Sequence, residues 1–233
     1  MSSFASKHPL VSIIIPTFNE ELSLPFVLES IPRSKKLEVL VVDGGSVDGT
    51  LKVAVRDGRP IIVHSKKRGR GIQMDLGAKK ASGQIFFFLH ADCIPDTGHL
   101  FHLKKALKRK NLAGYFDFYL TNRGFKYRIL ELLTNFRARF FRLPYGDQGL
   151  FLHRQLYQQL NGFKPYPFLE DVDFIFRLKS RKVKLLRFPV KMKVSTRTWE
   201  KKGILYCSFR NILLVILFVL GFHPETLKKF YVN

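Results

Sequence analysis

Ile85-Phe86-Phe87-Phe88-Leu89-His90-Ala91-Asp92-Cys93 is the stretch from which the fold is read. Five bulky apolar residues run without alternation, and the chain then turns polar at His90 and Asp92. A continuous apolar run of this length predicts a strand buried on both faces, as in a parallel sheet covered by helices. Gly83 and Pro95 bracket it as breakers. In open α/β sheets ligands bind outside the carboxyl ends of the strands. His90 and Asp92 are therefore placed at a candidate metal or phosphate site. The competing reading of the same residues is a polar turn after a core strand.

Working outward, the same grammar repeats on the N-terminal side. Val11 to Ile15 reads as an apolar strand stopped by Pro16. A helical pattern follows from Glu20-Glu21 through Ile31, with acids suited to a first turn. Leu37 to Val42 is a second buried strand, ending at Asp43-Gly44-Gly45-Ser46, with Ser46 expected as the N-cap of a helix from Val47. Ile61 to Val63 is a short third strand. Gly69 to Ala81 is predicted helical and is entered through the basic loop Lys66 to Gly71. This β-α alternation predicts an α/β, Rossmann-like, mostly parallel sheet flanked by helices.

Beyond Asp92 the pattern changes. Helices are expected over Leu100–Lys110 and Phe125–Phe141, with an antiparallel strand over Tyr115–Leu120 between them. Pro144 to Gly149 reads as a loop before Leu150-Phe151-Leu152. Phe168-Leu169-Glu170-Asp171-Val172-Asp173 leads into a helix through Leu178. Val183 to Val194 reads as a bent strand pair broken at Pro189. We divide the chain into a domain over 1–202 and a helical tail over 203–233 that is not an independent domain. Ile212 to Leu220 is apolar on every side, which predicts burial in protein or lipid. The run is about half the roughly 20 residues that a membrane span requires.

The 233 residues carry 40 Lys and Arg against 18 Asp and Glu, a net charge of +22. Such a field attracts nucleic acid, anionic head groups or phosphorylated substrates. The 46% hydrophobic content argues against a disordered chain. Two cysteines, Cys93 and Cys207, without CxxC spacing, predict neither a disulfide framework nor a zinc site, and a reducing compartment is expected. No apolar leader is read in residues 1–9.

Four acidic positions stand after predicted strands or at a helix entrance: Glu20, Asp43, Asp92 and Glu170-Asp171. Each alone reads equally well as a helix cap. Together they point to a site that binds a nucleotide, holds a hard divalent ion and supplies a base. Lys66 to Arg70 would supply cations for phosphate. The GxxxxGK[ST] pattern of a P-loop is absent, as is GxGxxG after the first strand.

Val-Ser-Ile-Ile-Ile-Pro-Thr-Phe-Asn-Glu, Val-Val-Asp-Gly-Gly-Ser-Val-Asp-Gly-Thr, Leu-His-Ala-Asp and Leu-Glu-Asp-Val-Asp, in that order, resemble family-2 glycosyltransferases. Those are inverting enzymes of the A-type nucleotide-diphosphosugar fold. The resemblance covers about residues 11 to 200. The Leu-His-Ala-Asp, Gly-Asp-Gln-Gly and Arg-Thr-Trp-Glu stretches are similar to a bacterial subgroup named as radical-SAM/selenodomain-associated transferases, some linked to arsenosugar biosynthesis.

The resemblance implies roles by position. Pro16, Thr17, Asn19 and Glu20 would line the nucleoside pocket, and Asp43 would contact the base. Arg70 and Gln73 would lie near the nucleoside or diphosphate. Asp92 matches the last carboxylate of the family's Asp-X-Asp metal and diphosphate motif, with His90 in place of the first and Ala91 between them. A Mn²⁺ or Mg²⁺ cofactor is implied, with its affinity altered by that histidine. Asp171 matches the general base, and Glu170 would orient it or the acceptor. Gly146, Asp147 and Gln148 would border the acceptor, together with Arg197 and Trp199; the Gln-X-X-Arg-Trp motif of processive members is absent, Arg197-Thr198-Trp199 is only a partial echo of it, and polymer synthesis is not implied. The donor implied is a nucleotide-diphosphate sugar, UDP foremost. Apart from the resemblance, the cysteine usage points to a cytoplasmic location, and the charge of +22 with the apolar tail points to an anionic membrane surface as a further expected partner, with no specific nucleic acid. Two readings compete: a catalytically inactive basic module for membrane or RNA on the same fold, and a nucleotidyltransferase. The latter usually opens with a Gly- and Arg-rich loop where this chain has Pro16 to Glu20.

Overall fold

The computed structural model describes residues 9–106 and 110–231. Val11–Thr17 (β1), Leu37–Asp43 (β2), Ile61–His64 (β3) and Ile85–Phe88 (β4) pair in parallel. Leu24–Ser30 (α1), Thr50–Asp57 (α2) and Arg70–Lys80 (α3) connect them. The chain continues through Cys93–Ile94 (β5), Thr97–Ala106 (α4), Leu112–Leu120 (β6) and Phe125–Phe140 (α5). Phe151–His153 (β7), Arg154–Gln159 (α6), Glu170–Ser180 (α7) and Lys184–Val194 (β8) complete the domain, and Arg197–Lys202 (α8), Ile204–Val219 (α9) and Pro224–Tyr231 (α10) follow. The strands form one mixed sheet in the order β3-β2-β1-β4-β7-β6-β8-β5.

Every residue of β1 and β4 is buried. Successive side chains leave a strand on opposite faces, so an unalternating apolar run feeds two cores at once. Ile13, Ile15 and Phe87 pack on one face with Leu24 and Val27 of α1. Ile14, Phe86 and Phe88 pack on the other with Met74 of α3 and Val172 and Ile175 of α7. The α3 backbone lies very close to the sheet: a Cβ on Gly77 would come 2.5 Å from Ile14 Cγ2 and 2.8 Å from Val42 Cγ2.

Several expectations are corrected. The strand predicted over Tyr115–Leu120 pairs antiparallel with β7 only at Ala113 and Gly114, and runs parallel to β8 along its length. The reversal belongs to β7, which is antiparallel to β4. Local alternation reports burial of a face; direction is settled by the distant partner. The predicted strand pair at 183–194 is one strand. Phe116 faces Phe188 and Asp117 faces Lys191, which leaves Pro189 and Val190 without partners on β6. Proline has no N–H for the ladder, so it sits at this bulge.

Helix entrances shift too. α1 begins at Leu24 with Pro25 in its first turn, so Glu20 and Glu21 precede it. α2 begins at Thr50 behind Gly49, and Ser46 bonds Asp43 instead of capping a helix. α4 starts earlier than Leu100, at Thr97, and residues 107–109 of that predicted helix lie outside the described residues. In the tail, α9 buries only Cys207 and Leu214. Leu214 meets Phe168 and Leu227 of α10, and Phe218 stacks on Phe176 of α7 at 6.2 Å. The remaining apolar side chains of α9 are partly or fully exposed, so of the two expected coverings, protein or lipid, protein encloses one side of the helix. Among the described residues no helix is long and apolar enough to cross a membrane.

Candidate active-site cleft

The carboxyl ends of β1, β2 and β4 open on one side, and the loops that leave them are tied to each other before any ligand is considered. Asp43 ends β2 and turns its carboxylate back on its own loop, accepting Gly45 N–H and Ser46 N–H at 2.9 Å each. Asn19 sits at φ 55°, a backbone region that Asn tolerates better than most residues. Its Oδ1 accepts Val47 N–H at 2.9 Å, and its own N–H donates to Ser46 Oγ at 2.9 Å. Gln73, on the first turn of α3, is buried; its Nε2 donates to Thr17 O at 2.8 Å and Val42 O at 2.7 Å. These three side chains join β1, β2 and α3 into one rigid wall. Asn19 and Asp43, expected in the nucleoside pocket, brace it from outside the cleft lining.

The cleft has a volume of about 510 Å³. Pro16, Thr17 and Glu20 after β1, Arg70 and Gln73 of α3, and His90, Ala91 and Asp92 after β4 line one side. Gly146, Asp147, Glu170, Asp171, Arg197 and Trp199 line the other. The two sides are joined by an ion pair across most of the chain, Arg197 Nη2 to Glu20 Oε2 at 2.8 Å. Gln148 was expected at the acceptor but is fully buried beneath it. Its Nε2 donates to Phe116 O at 3.1 Å, and its Oε1 accepts Tyr145 N–H at 3.3 Å.

Other lining residues were not singled out from sequence. The Arg68 guanidinium lies 3.7 Å over the Phe18 ring, and Arg137 lies 3.3 Å over Tyr145, which lines the cleft. Arg68 belongs to the basic loop already read as phosphate-binding, and Phe18 and Tyr145 adjoin the motif residues, which was the available signal. Arg210, Leu214 and Val215 of α9 also line the cleft, a placement with no local signature.

Asp171 stands in the first turn of α7. Its Oδ2 accepts Gly146 N–H at 2.8 Å and its Oδ1 accepts Val172 N–H at 2.8 Å, which fixes the carboxylate plane. Leu169 enters the helix at φ 61°, a strained value for leucine. This sharp entry precedes Glu170, which is buried with its Oε1 3.9 Å from Arg70 Nε. Burial pushes the Glu170 carboxyl up to about 7, with Arg70 opposing and Asp171 adding to the rise.

His90 is buried, and burial together with Arg70 lowers it to about 3. Its imidazole is neutral at ordinary pH, and Nε2 is sealed from solvent without a hydrogen-bond partner. The ligating atoms of His90, Asp92 and Cys93 lie within 4.8 Å of one another. Burial and then Asp92 push the Cys93 thiol well up, so it stays protonated, and Sγ lies 3.5 Å from Asp92 Oδ1 as a donor. A neutral buried imidazole nitrogen beside a carboxylate fits a divalent cation, and the Cys93 sulfur stands in the same group.

Asp147 carries the least compensated carboxylate. Its Oδ1 is buried without a partner. Burial pushes it up to about 7; Arg137 opposes, while Asp171 and Asp92 add to the rise. Between about pH 4 and 7 the folded chain therefore holds a proton that the unfolded chain, with its ordinary value of 3.8, has released. The folded state binds more protons, so stability falls as pH rises through that window and levels off above it. Asp147→Asn is expected to flatten this fall and to raise the melting temperature near neutral pH, by roughly 2–4 °C per kcal/mol relieved. Thermal melts of both chains between pH 4 and 8 measure it; parallel pH profiles would show that the Asp147 carboxylate carries no such strain.

The comparisons with known proteins agree with this geometry. The family model described as "Glycosyl transferase family 2" matches residues 12–160. The chain is 37% identical over 97 residues to the glycosyltransferase AglE of Haloferax volcanii, a match covering 37% of this chain and 32% of that protein. It is 39% identical over 92 residues to a PGL/p-HBAD biosynthesis glycosyltransferase of Mycobacterium tuberculosis, covering 36% of each. The matched stretches thus span about a third of those relatives' lengths. Among solved structures, S. aureus TarS in complex with UDP superposes with a TM-score of 0.63 at 17% identity, over 80% of this chain and 60% of that one. M. tuberculosis glucosyl-3-phosphoglycerate synthase with Mn²⁺ and UDP-glucose gives 0.61 at 18% identity, over 80% and 70%. The fold is thus that of A-type glycosyltransferases.

Proposed function

The chain belongs to glycosyl transferase family 2, and from that premise we propose that it moves a sugar from a nucleotide-diphosphate sugar to an acceptor hydroxyl with inversion at the anomeric carbon. The observation that carries the reading is the placement of Asp171, anchored by Gly146 N–H at 2.8 Å, in the same cleft as His90 and Asp92. The acceptor oxygen attacks the anomeric carbon as the bond from that carbon to the diphosphate oxygen breaks. The hydroxyl proton passes to Asp171, which must lie within hydrogen-bond reach. Arg70 and Arg68 face the side where the diphosphate would lie and favour its growing charge. Asp147 and Trp199 border the acceptor, and Arg197, held by Glu20, closes the wall behind it. Glu170 orients Asp171 or the acceptor.

Asp92 and the Nε2 of His90 would hold a divalent cation. A nitrogen donor in the set favours Mn²⁺ over the harder Mg²⁺. When bound, such an ion offsets charge on the leaving diphosphate. UDP is the nucleotide proposed first; TarS binds UDP in its structure and the synthase binds UDP-glucose in its own. The similarity of Leu89 to Asp92 and of Gly146 to Gly149 to the radical-SAM-associated subgroup belongs to the same proposal. So does a peripheral, cytoplasmic-face attachment of the tail to an anionic membrane.

A thermal-shift screen of nucleotide sugars with and without Mn²⁺ tests the donor. A ligand at 100 times its Kd stabilises the native state by about 2.7 kcal/mol. The expected result is a rise in melting temperature with a UDP-sugar that grows with Mn²⁺. No shift with any nucleotide sugar, with RNA raising the melting temperature instead, would favour the inactive basic module.

A further inference from the structure

α5 lies against β6 through only part of its surface. Tyr127, Glu131 and Ala138 are buried, and Asn135 bonds both Phe118 N–H and O at 2.9 Å. On the outer side Phe125, Ile129, Leu132, Leu133, Phe136 and Phe140 are exposed at i, i+4, i+7, i+8, i+11 and i+15, one continuous stripe. Phe136 and Phe140 stack on each other at 5.3 Å, with Phe136 56% and Phe140 70% exposed. α9 repeats the arrangement: Leu205, Phe209, Ile212, Ile216 and Val219 form an exposed apolar stripe. Folded soluble chains rarely leave two such stripes open to water.

The charge around both stripes is predominantly positive. Arg123, Lys126, Arg139 and Arg142 are exposed along α5, whose only acid, Glu131, is buried and paired with Arg128 at 2.7 Å. α9 has no acid, and on the flanking α8 and α10 the exposed Lys201, Lys202, Lys228 and Lys229 outnumber the exposed Glu200 and Glu225. α9 borders the cleft directly, and α5 meets one lining residue. Arg137 of α5 covers Tyr145, and Arg210 and Leu214 of α9 line the wall. α8, which leads into α9, bonds the loop before α5 through Asn122 Nδ2 to Glu200 Oε1 at 3.3 Å and meets β6 through the Phe118–Trp199 ring contact at 5.7 Å.

We propose that the outer faces of α5 and α9 together form a docking surface for an anionic lipid bilayer, with the cleft opening between them. The proposal rests on the peripheral attachment of the tail and adds α5 as a second, equal contact. Aromatic and aliphatic side chains enter the head-group boundary while the flanking cations meet lipid phosphates. Each helix is 16 residues long and lies in the surface without crossing it.

The test is co-sedimentation of the full chain with vesicles of phosphatidylglycerol and phosphatidylcholine, and of phosphatidylcholine alone, at low and high salt. Phe136→Ser/Phe140→Ser and Leu205→Ser/Phe209→Ser remove apolar area at exposed positions without changing charge. UDP binding and the thermal melt serve as controls of folding. Wild type is expected to partition onto the anionic vesicles, with binding weakened but not abolished by salt. Each double variant is expected to lower partitioning by roughly tenfold or more. Loss in the α9 variant with none in the α5 variant would leave tail attachment standing and overturn the two-helix surface. No sedimentation of wild type with anionic vesicles would overturn both. Concentration-dependent dimers in light scattering, abolished by the same substitutions, would show that a second copy covers these faces and would overturn the proposal.

Discussion

Asp171→Asn is expected to lower the transfer rate by roughly 10²- to 10⁴-fold, the usual worth of a positioned general base, with donor affinity within about twofold of wild type. The substitution is nearly isosteric. The amide oxygen can still accept Gly146 N–H where Oδ2 now does at 2.8 Å, so the loop carrying Gly146 and Asp147 keeps its anchor. The capacity to accept a proton from the acceptor is lost. Asp171 Oδ2 and His90 Nε2 both crowd Gly146, where a Cβ would lie 3.6 and 2.6 Å from them, and an isosteric amide keeps that corner filled, so the nucleotide subsite is not rebuilt. Steady-state transfer together with calorimetric UDP binding separates the two effects: a fall in kcat with donor Kd unchanged is expected. Wild-type turnover in a correctly folded variant would remove Asp171 from its role, and Asp147 would become the next candidate.

Asp92→Ala is expected to abolish the increment that Mn²⁺ adds to UDP affinity, a loss of roughly 10- to 100-fold or more by comparison with the cost of disturbing even outer metal partners. His90→Ala is expected to cost less. The imidazole supplies one neutral nitrogen, whereas the carboxylate supplies charge against a dication. Removing His90 also empties a tight corner, since a Cβ on Gly146 would lie 2.6 Å from His90 Nε2. Titration of UDP with Mn²⁺ and with chelator, for wild type and both variants, measures the effect. Equal UDP affinity with metal and with chelator in the wild type would rule out a cation at this position.

The N-terminal half of the fold was legible because its strands are covered on both faces. Val11–Thr17 and Ile85–Phe88 had to be uninterrupted apolar runs to feed two cores, and such runs are visible in sequence. The direction of the later strands was not legible. β6 and β8 pair in parallel across some 70 residues, and nothing local to Tyr115–Leu120 records which way its partner runs. Polar residues at loops fall in the right neighbourhood but do not all line the cleft. Asp43, Asn19 and Gln148 turn hydrogen bonds onto neighbouring loop and strand backbone, and an amide or carboxylate that braces a loop looks the same in sequence as one that meets a ligand. The α9 helix is a different case. Its composition predicts burial in protein or lipid, and at the edge of the domain protein covers one side only, with Phe168, Phe176 and Leu227.

The two unpartnered residues of β8 constrain which insertions and deletions the gene can accept there. Phe188, Val190, Met192 and Val194 point towards the core while Pro189, Lys191 and Lys193 point out. The bulge adds an even number of residues, so the inward-outward order survives across it. Losing both Pro189 and Val190 would keep that parity and straighten the strand. Losing either one alone would invert everything downstream, placing Lys191 and Lys193 inside and expelling Met192 and Val194. Because Val194 lines the cleft and Arg197 follows three residues later, that single-codon deletion would misplace the Glu20–Arg197 closure as well as the core. Length variation at this corner is therefore expected in steps of two.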